Sequence, residues 1–122
     1  MPKIKQSENE VKKAIREYLE LRGYEVDRIN NGGGFRGFNK DGKKRFSFAG
    51  TPGVADLYAT KKGDYPLWIE VKKTGGKPSE YQCKWGSRIN ETFGTFWLWA
   101  DSLDMFIIKF QGIMMIKCAE GL

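Results

Sequence analysis

Apolar positions in the first fifth of the chain return every three or four residues. Over residues 8–22 this spacing predicts a helix with one buried stripe. Ser7, with Glu10 three residues later, forms a capping-box pattern at its start, and Gly23 marks its end. The predicted stripe consists of Val11, Ala14, Ile15, Tyr18 and Leu19.

Shorter apolar runs, bounded by turn residues, predict strands farther along the chain. The predicted strands cover residues 24–29, 54–60, 66–73 and 94–100. A second helix is predicted over 79–91, a short helix over 102–110 and an edge strand over 112–117. This order predicts a single α/β domain over 1–122, a mixed β-sheet flanked by helices. Its core is expected over roughly 7–100, with 101–122 as a C-terminal extension.

The segment 30–53 breaks the periodicity because it is rich in glycine and basic residues. Asn31-Gly32 and Asp41-Gly42 are turn signals, so a hairpin or a mobile loop would explain it. Such a segment suits contact with a phosphate backbone, but it is equally typical of a flexible connector. Its glycines match neither a P-loop nor a dinucleotide fingerprint, and no nucleotide cofactor is expected. The candidate nucleic-acid contacts here are Arg36, Lys40, Lys43, Lys44 and Arg45.

Charge and composition narrow the chemistry. The net charge is +6 and the pI is about 9.3, which favours an anionic partner such as nucleic acid. The chain has no histidine, which excludes histidine-based catalysis and histidine zinc sites. No apolar stretch approaches a membrane span, and no secretory signal is visible. With two cysteines far apart, these features predict a cytoplasmic protein with reduced thiols and no membrane partner.

The run "LWIEVKKT" over residues 67–74 places charges inside an apolar strand. In an extended chain Leu67, Ile69 and Val71 point to one face, and Glu70 and Lys72 point together to the other. The simplest explanation is a half-buried strand whose outer face is solvated. Other features of the chain offer a second explanation.

Asp56 stands inside the predicted strand 54–60, where aspartate is disfavoured. It could be an ordinary residue at the end of a strand. If that strand and the next form a hairpin, however, Asp56 lies across from Glu70 with Cβ atoms roughly 5 Å apart. Two carboxylates at that distance repel unless a cation lies between them, and a hard divalent ion such as Mg²⁺ would fit.

Such a site suits phosphodiester hydrolysis, because a metal there would neutralise a phosphate and activate water. Lys72 could orient that water or accept its proton, or it could stay charged and stabilise the transition state. The sequence leaves these roles open.

The pattern Gly53-x-x-Asp56, followed by Glu70-Val71-Lys72, resembles the core of the PD-(D/E)XK nuclease superfamily. Three further features resemble the VRR-NUC (virus-type replication-repair nuclease) branch: the leading helix with its acidic start, the thirteen residues between Asp56 and Glu70, and Gln82 on the following helix. The resemblance covers roughly residues 7–100. It implies a restriction-endonuclease-like sheet in the order α-β-β-β-α-β. One departure is Ala55, which stands where many relatives have proline.

The resemblance implies the roles of the site residues. Asp56 and Glu70 become ligands of Mg²⁺ or Mn²⁺ with the Val71 carbonyl, Lys72 becomes the catalytic lysine, and Gln82 a helper. The family's helix-1 glutamate maps to Glu8 or Glu10. Glu8 is favoured because it shares the spacing of the buried stripe, whereas the capping box already explains Glu10. Lys73 and Lys77 flank the site and are expected to follow a DNA backbone.

The expected function is therefore a metal-dependent DNA endonuclease. The resemblance implies branched or flap-like repair and recombination intermediates as substrates, with Holliday-junction resolution as a specific case. Resolving a four-way junction needs paired cuts, which a homodimer supplies. The aromatic strand 94–100 and the apolar C-terminus are the expected interface. The alternatives are a basic nucleic-acid-binding module without catalysis and a protein-interaction domain indifferent to DNA.

Overall fold

The computed structural model describes residues 4–29, 34–38, 44–47 and 53–119. Its helices are α1 (Glu8–Leu21), α2 (Glu80–Asn90) and α3 (Leu103–Ala119). Its strands are β1 (Glu25–Arg28), β2 (Gly34–Phe38), β3 (Lys44–Ser47), β4 (Leu57–Thr60), β5 (Leu67–Val71) and β6 (Phe96–Ala100).

Four strands form one mixed sheet in the order β1-β4-β5-β6. β4 pairs antiparallel with both β1 and β5, whereas β5 and β6 are parallel and are connected through α2. Without β2 and β3, the chain order is α-β-β-β-α-β followed by α3, so the predicted α/β class and mixed sheet are confirmed. β2 and β3 form a separate antiparallel pair, as the hairpin interpretation of segment 30–53 predicted.

The core lies on the face of the sheet that α1 and α3 cover. The predicted stripe of α1 is buried there at Val11, Ile15 and Leu19. Leu67 and Ile69 of β5 meet this stripe and are fully buried. The alternation predicted for β5 is therefore observed, and its other set of side chains points to the opposite face.

α2 covers that opposite face. The ring of Trp85 packs edge-on against Trp68 of β5, with centroids 5.2 Å apart. At Gly86 a Cβ atom would lie 2.2 Å from the Trp97 ring, so only glycine lets the helix approach β6 this closely. The outer face of β5 is thus packed rather than solvated. The half-buried-strand explanation is wrong for Glu70, which is only 2% exposed.

The C-terminal predictions were wrong in one respect. A short helix over 102–110 and an edge strand over 112–117 were expected, but α3 runs unbroken through both. Gly112 lies where the predicted helix was expected to give way to the predicted strand. In an exposed helical position, however, glycine costs only about 1 kcal/mol, and burial of Phe106, Phe110 and Ile113 outweighs that cost. α3 therefore contributes to the core.

Side chains cover the outer edge of β6. The Trp97 backbone N–H donates to Asn90 Oδ1 at 2.8 Å, and Asn90 Nδ2 donates to the Trp97 carbonyl at 3.1 Å. Lys109 Nζ donates to the Trp99 carbonyl at 2.7 Å. These bonds occupy backbone groups that a neighbouring strand would otherwise pair with.

Within the described ranges, none of the helices is both long and apolar enough to cross a lipid bilayer.

Candidate active site

Asp56 and Glu70 meet at one end of the β4–β5 pair. Leu57 is paired with Ile69, so the next step of the antiparallel register brings Asp56 opposite Glu70. The Asp56 backbone N–H donates to the Ile69 carbonyl at 3.1 Å, and its Oδ2 accepts from the Val71 N–H at 2.9 Å. The Asp56 carboxylate is therefore held against the backbone of β5.

The predicted strand 54–60 began too early, because β4 starts at Leu57. Asp56 lies one residue before it, at a position where an aspartate can use its side chain to bind the neighbouring backbone. That position removes the conflict between aspartate and strand propensity.

The structure explains why the first position of the G-x-x-D pattern, Gly53, is a glycine. Its φ is +89°, a conformation that favours glycine. A Cβ atom there would lie 2.7 Å from the Tyr81 carbonyl oxygen in the first turn of α2. Glycine at this position lets the segment leading to Asp56 run against the start of α2.

Glu70 is the most buried acid of the site. Its Oε1 accepts from Gln82 Nε2 at 2.9 Å and lies 3.5 Å from Lys72 Nζ. Its Oε2 is buried and has no hydrogen-bond partner in the described part of the chain. Burial, and next the neighbouring Asp56 carboxylate, raise the pKa of Glu70 to about 8 although Lys72 acts in the opposite direction. In this environment the ionised pair is under-compensated.

Gln82 reaches the site from the first turn of α2. Ser79 caps this helix, and Gln82 Oε1 accepts from the Ser79 N–H at 2.7 Å as the second half of a capping box. The amide nitrogen of the same side chain donates to Glu70. Gln82 thus fixes the helix and the acid at once.

α1 presents the two glutamates between which the sequence left a choice. Glu10 Oε1 accepts from the Ser7 N–H at 3.3 Å, so it completes the predicted capping box. Glu8 is exposed, and its carboxylate lies 4.0 Å from Lys12 Nζ. Lys12 Nζ in turn lies 3.9 Å from Asp56 Oδ1. Glu8 is therefore connected to the acid pair through Lys12.

Sequence reasoning missed Lys12. Its side chain is 15% exposed, whereas that of the adjacent Lys13 is 72% exposed. The sequence feature that could have indicated Lys12 is its position four residues after Glu8 and directly after the buried Val11.

The loop after β5 is fixed on both sides. Thr74 exchanges hydrogen bonds with Gln6 in front of α1, with its N–H donating at 3.1 Å and its Oγ1 accepting at 2.9 Å. The Gly75 N–H donates to Asp101 Oδ2 at 3.0 Å. Lys73 and Lys77 are exposed in this loop, just beyond Lys72.

The other expected nucleic-acid contacts belong to the segment 30–53. Arg36 belongs to β2, and Lys44 and Arg45 belong to β3. Lys40 and Lys43 lie outside the described residues.

The acids fit a hard divalent cation. An orphaned carboxylate oxygen beside a second carboxylate is a donor set that Mg²⁺ or Mn²⁺ would stabilise. Among the residues described, no group of three or more His, Cys, Asp or Glu side chains could hold a metal ion. Asp56 and Glu70 would therefore share an ion with the Val71 carbonyl and with oxygens from water or a substrate.

No family model matches the chain, and neither a curated protein nor a solved structure matches it. A functional proposal for this protein therefore rests on its own residues and their geometry.

Proposed function

We propose that this protein is a cytoplasmic, divalent-metal-dependent DNA endonuclease that hydrolyses phosphodiester bonds. The observation that carries the proposal is the buried Glu70 beside Asp56. One of its oxygens lacks a partner in the described part of the chain, and burial and the neighbouring Asp56 carboxylate raise its pKa. Burying such an acid pair costs free energy of folding unless a cation binds between the two carboxylates.

The residues around the pair supply the remaining needs of the reaction. Asp56 and Glu70 would hold Mg²⁺ or Mn²⁺, which when bound neutralises a phosphate oxygen and lowers the pKa of water. Lys72 lies 3.5 Å from Glu70 and is 19% exposed, so its ammonium group can reach a substrate. Gln82 keeps Glu70 in place. This set of groups corresponds to the one implied by the resemblance to VRR-NUC nucleases.

The proposed substrate is branched DNA. The net charge of +6 and the exposed Lys73 and Lys77 beside the site favour a polyanion. We extend the proposal to a homodimer, which would deliver paired cuts to a four-way junction. α3 supports it with exposed apolar side chains, namely Ile108, Met115 and Ile116.

The test is a cleavage panel with labelled four-way junction, flap, splayed-arm, duplex and single-stranded DNA, in Mg²⁺ or Mn²⁺. The wild type should cut at least one branched substrate. Asp56→Asn and Lys72→Met should abolish cutting while retaining DNA binding. Lys73→Met is the matched control, because this adjacent lysine is exposed and should affect binding but not the chemical step.

Absence of cutting by the wild type with either metal on every substrate, with DNA binding retained, would favour the non-catalytic binding module. Sedimentation of the protein with junction DNA tests the homodimer separately. A strict monomer on the DNA would remove the resolvase version and leave the endonuclease.

A further inference from the structure

Lys12 is placed differently from the other basic residues of α1. Lys13 and Arg16 pair with acids of their own helix, Glu17 and Glu20, in exposed positions. Lys12 instead turns toward the sheet, where its ammonium group lies between Glu8 and Asp56. The Lys12 side chain is only 15% exposed although it lies on a surface helix. Its contacts with these two carboxylates therefore replace part of its hydration.

The acid pair is flanked on two sides by ammonium groups. Lys72 approaches Glu70 from the end of β5, and Lys12 approaches Asp56 from α1. The two oxygens of Asp56 are divided between partners, since Oδ2 accepts from the Val71 N–H and Oδ1 faces Lys12. Lys12 thus compensates the acid that Lys72 does not contact.

We propose that Lys12 is a positioning residue of the acid pair, held by Glu8 against Asp56, where its charge competes with a divalent cation. This inference rests on the proposed function. It gives Glu8 an indirect role through Lys12 in place of the direct site role that the resemblance implies. Lys12 then limits how tightly the site binds metal and at the same time fixes the Asp56 carboxylate.

The two effects have opposite signs, which makes them separable. Removing the ammonium group makes the site more negative, so metal affinity should rise about three- to tenfold, as expected for one charge near 4 Å in a partly solvated site. The gain should shrink as salt is added. Asp56 loses a partner, however, so the cleavage rate at saturating metal should fall about tenfold.

The first experiment measures Mn²⁺ affinity by calorimetry without DNA, together with cleavage at saturating Mn²⁺. Lys12→Met should bind Mn²⁺ more tightly and cut more slowly than wild type. Lys12→Arg should restore both values. Lys13→Met is the matched control, and it should leave both unchanged because Lys13 faces solvent.

Glu8→Gln separates an indirect role from direct ligation. If Glu8 acts through Lys12, the Mn²⁺ affinity should change by no more than about threefold, the size of a screened charge effect. A loss of tenfold or more would make Glu8 a ligand and overturn the inference.

A metal-free experiment tests the Lys12–Asp56 contact itself. Lys12→Met should lower the urea midpoint in the wild-type background and lower it much less in an Asp56→Asn background, because the two residues are then uncoupled. Equal shifts in both backgrounds would overturn the contact.

Failure of the proposed function and failure of the role of Lys12 give different experimental results. A wild type that binds no Mn²⁺ and cuts no DNA overturns the proposed function, and the competition with metal along with it. A wild type that binds and cuts, with Lys12→Met indistinguishable from Lys13→Met, overturns only the role of Lys12.

Discussion

The first turns of α1 and α2 are built on the same plan and differ in what they reach. Each begins with a serine N-cap whose third following residue returns to the cap, Ser7 with Glu10 and Ser79 with Gln82. Among the described residues Glu10 hydrogen-bonds only to its own cap, as a carboxylate that can only accept. Gln82 accepts with its oxygen and has an amide nitrogen left over, which it donates to Glu70.

The difference teaches that one local motif can be purely structural in one helix and part of a site in another. What distinguishes them is the remaining hydrogen-bonding capacity of the third residue and the face over which the helix lies. α2 crosses the face to which Glu70 points, and its start runs against Gly53. The cap of α2 is therefore connected to the acid pair, and the cap of α1 is not.

The largest expected effect comes from removing the acid that the α2 cap contacts. Glu70→Gln should lower the cleavage rate at least about a thousandfold, because the metal loses a charged ligand. Glu10→Gln should leave cleavage within about twofold, since the amide still accepts from Ser7. The measurement is single-turnover cleavage of the best substrate in Mg²⁺. Equal losses in the two variants would contradict the comparison.

The next effect is a pH dependence of stability in the metal-free protein. The pKa of Glu70 is raised from 4.5 to about 8 in the folded protein. Between these two pH values the folded state therefore keeps a proton that the unfolded chain has released. The contribution is therefore fully present below about pH 4.5 and is lost as pH rises toward 8. Urea unfolding should show a loss of about 3 kcal/mol between roughly pH 5 and 7.5.

Glu70→Gln is the control for this loss, because the amide does not titrate and its stability should vary less over the same range. Saturating Mg²⁺ should restore wild-type stability at about pH 8, since the cation binds the folded state. If the wild type and Glu70→Gln lose stability in parallel, the buried acid is not the cause.

Much of this site could be predicted from sequence because strands impose a simple alternation. Glu70 and Lys72 share a face by their spacing alone, and the hairpin brings Asp56 to them. Lys12 could not be found in this way. It lies beside the buried stripe of α1 in a run of charged residues, and only the packing of α1 on the sheet turns it toward Asp56.

The errors at the ends of elements have a similar cause. Val54 and Ala55 extend the apolar pattern of β4 backward, but the positive φ of Gly53 and the side-chain bond of Asp56 delay the strand. A strand was predicted from residue 112 onward, but the packing of residues on both sides of Gly112 continues the helix α3. In both places tertiary contacts overrode local preference.

A smaller effect on stability distinguishes the close contact between Gly53 and α2 from backbone strain alone. Gly53 and Gly63 have similar φ values, +89° and +85°, but only Gly53 has backbone atoms where a Cβ would stand. Gly63→Ala should therefore cost about 1 kcal/mol of stability, the strain of the left-handed conformation. Gly53→Ala should cost about 2 kcal/mol more and should also slow cleavage, because α2 and Asp56 must shift. Urea unfolding and cleavage assays check both, and equal costs would contradict the role given to Gly53.

The smallest effect concerns the amide nitrogen of Gln82, which the helix cap does not use. Gln82→Glu keeps an oxygen for the Ser79 cap but turns the donor toward Glu70 into a second acceptor. The metal-free variant should lose about 1 kcal/mol of stability near pH 8, where carboxylates repel, and less near pH 5, where Glu70 holds a proton. Glu10→Gln makes the reverse exchange in α1 and should change stability by less than about 0.5 kcal/mol at either pH, because Glu10 is exposed and the new amide still accepts from Ser7. A Gln82→Glu variant as stable as Glu10→Gln at both pH values would mean that the two caps are equivalent after all, and that the bond between Gln82 and Glu70 contributes nothing to the site.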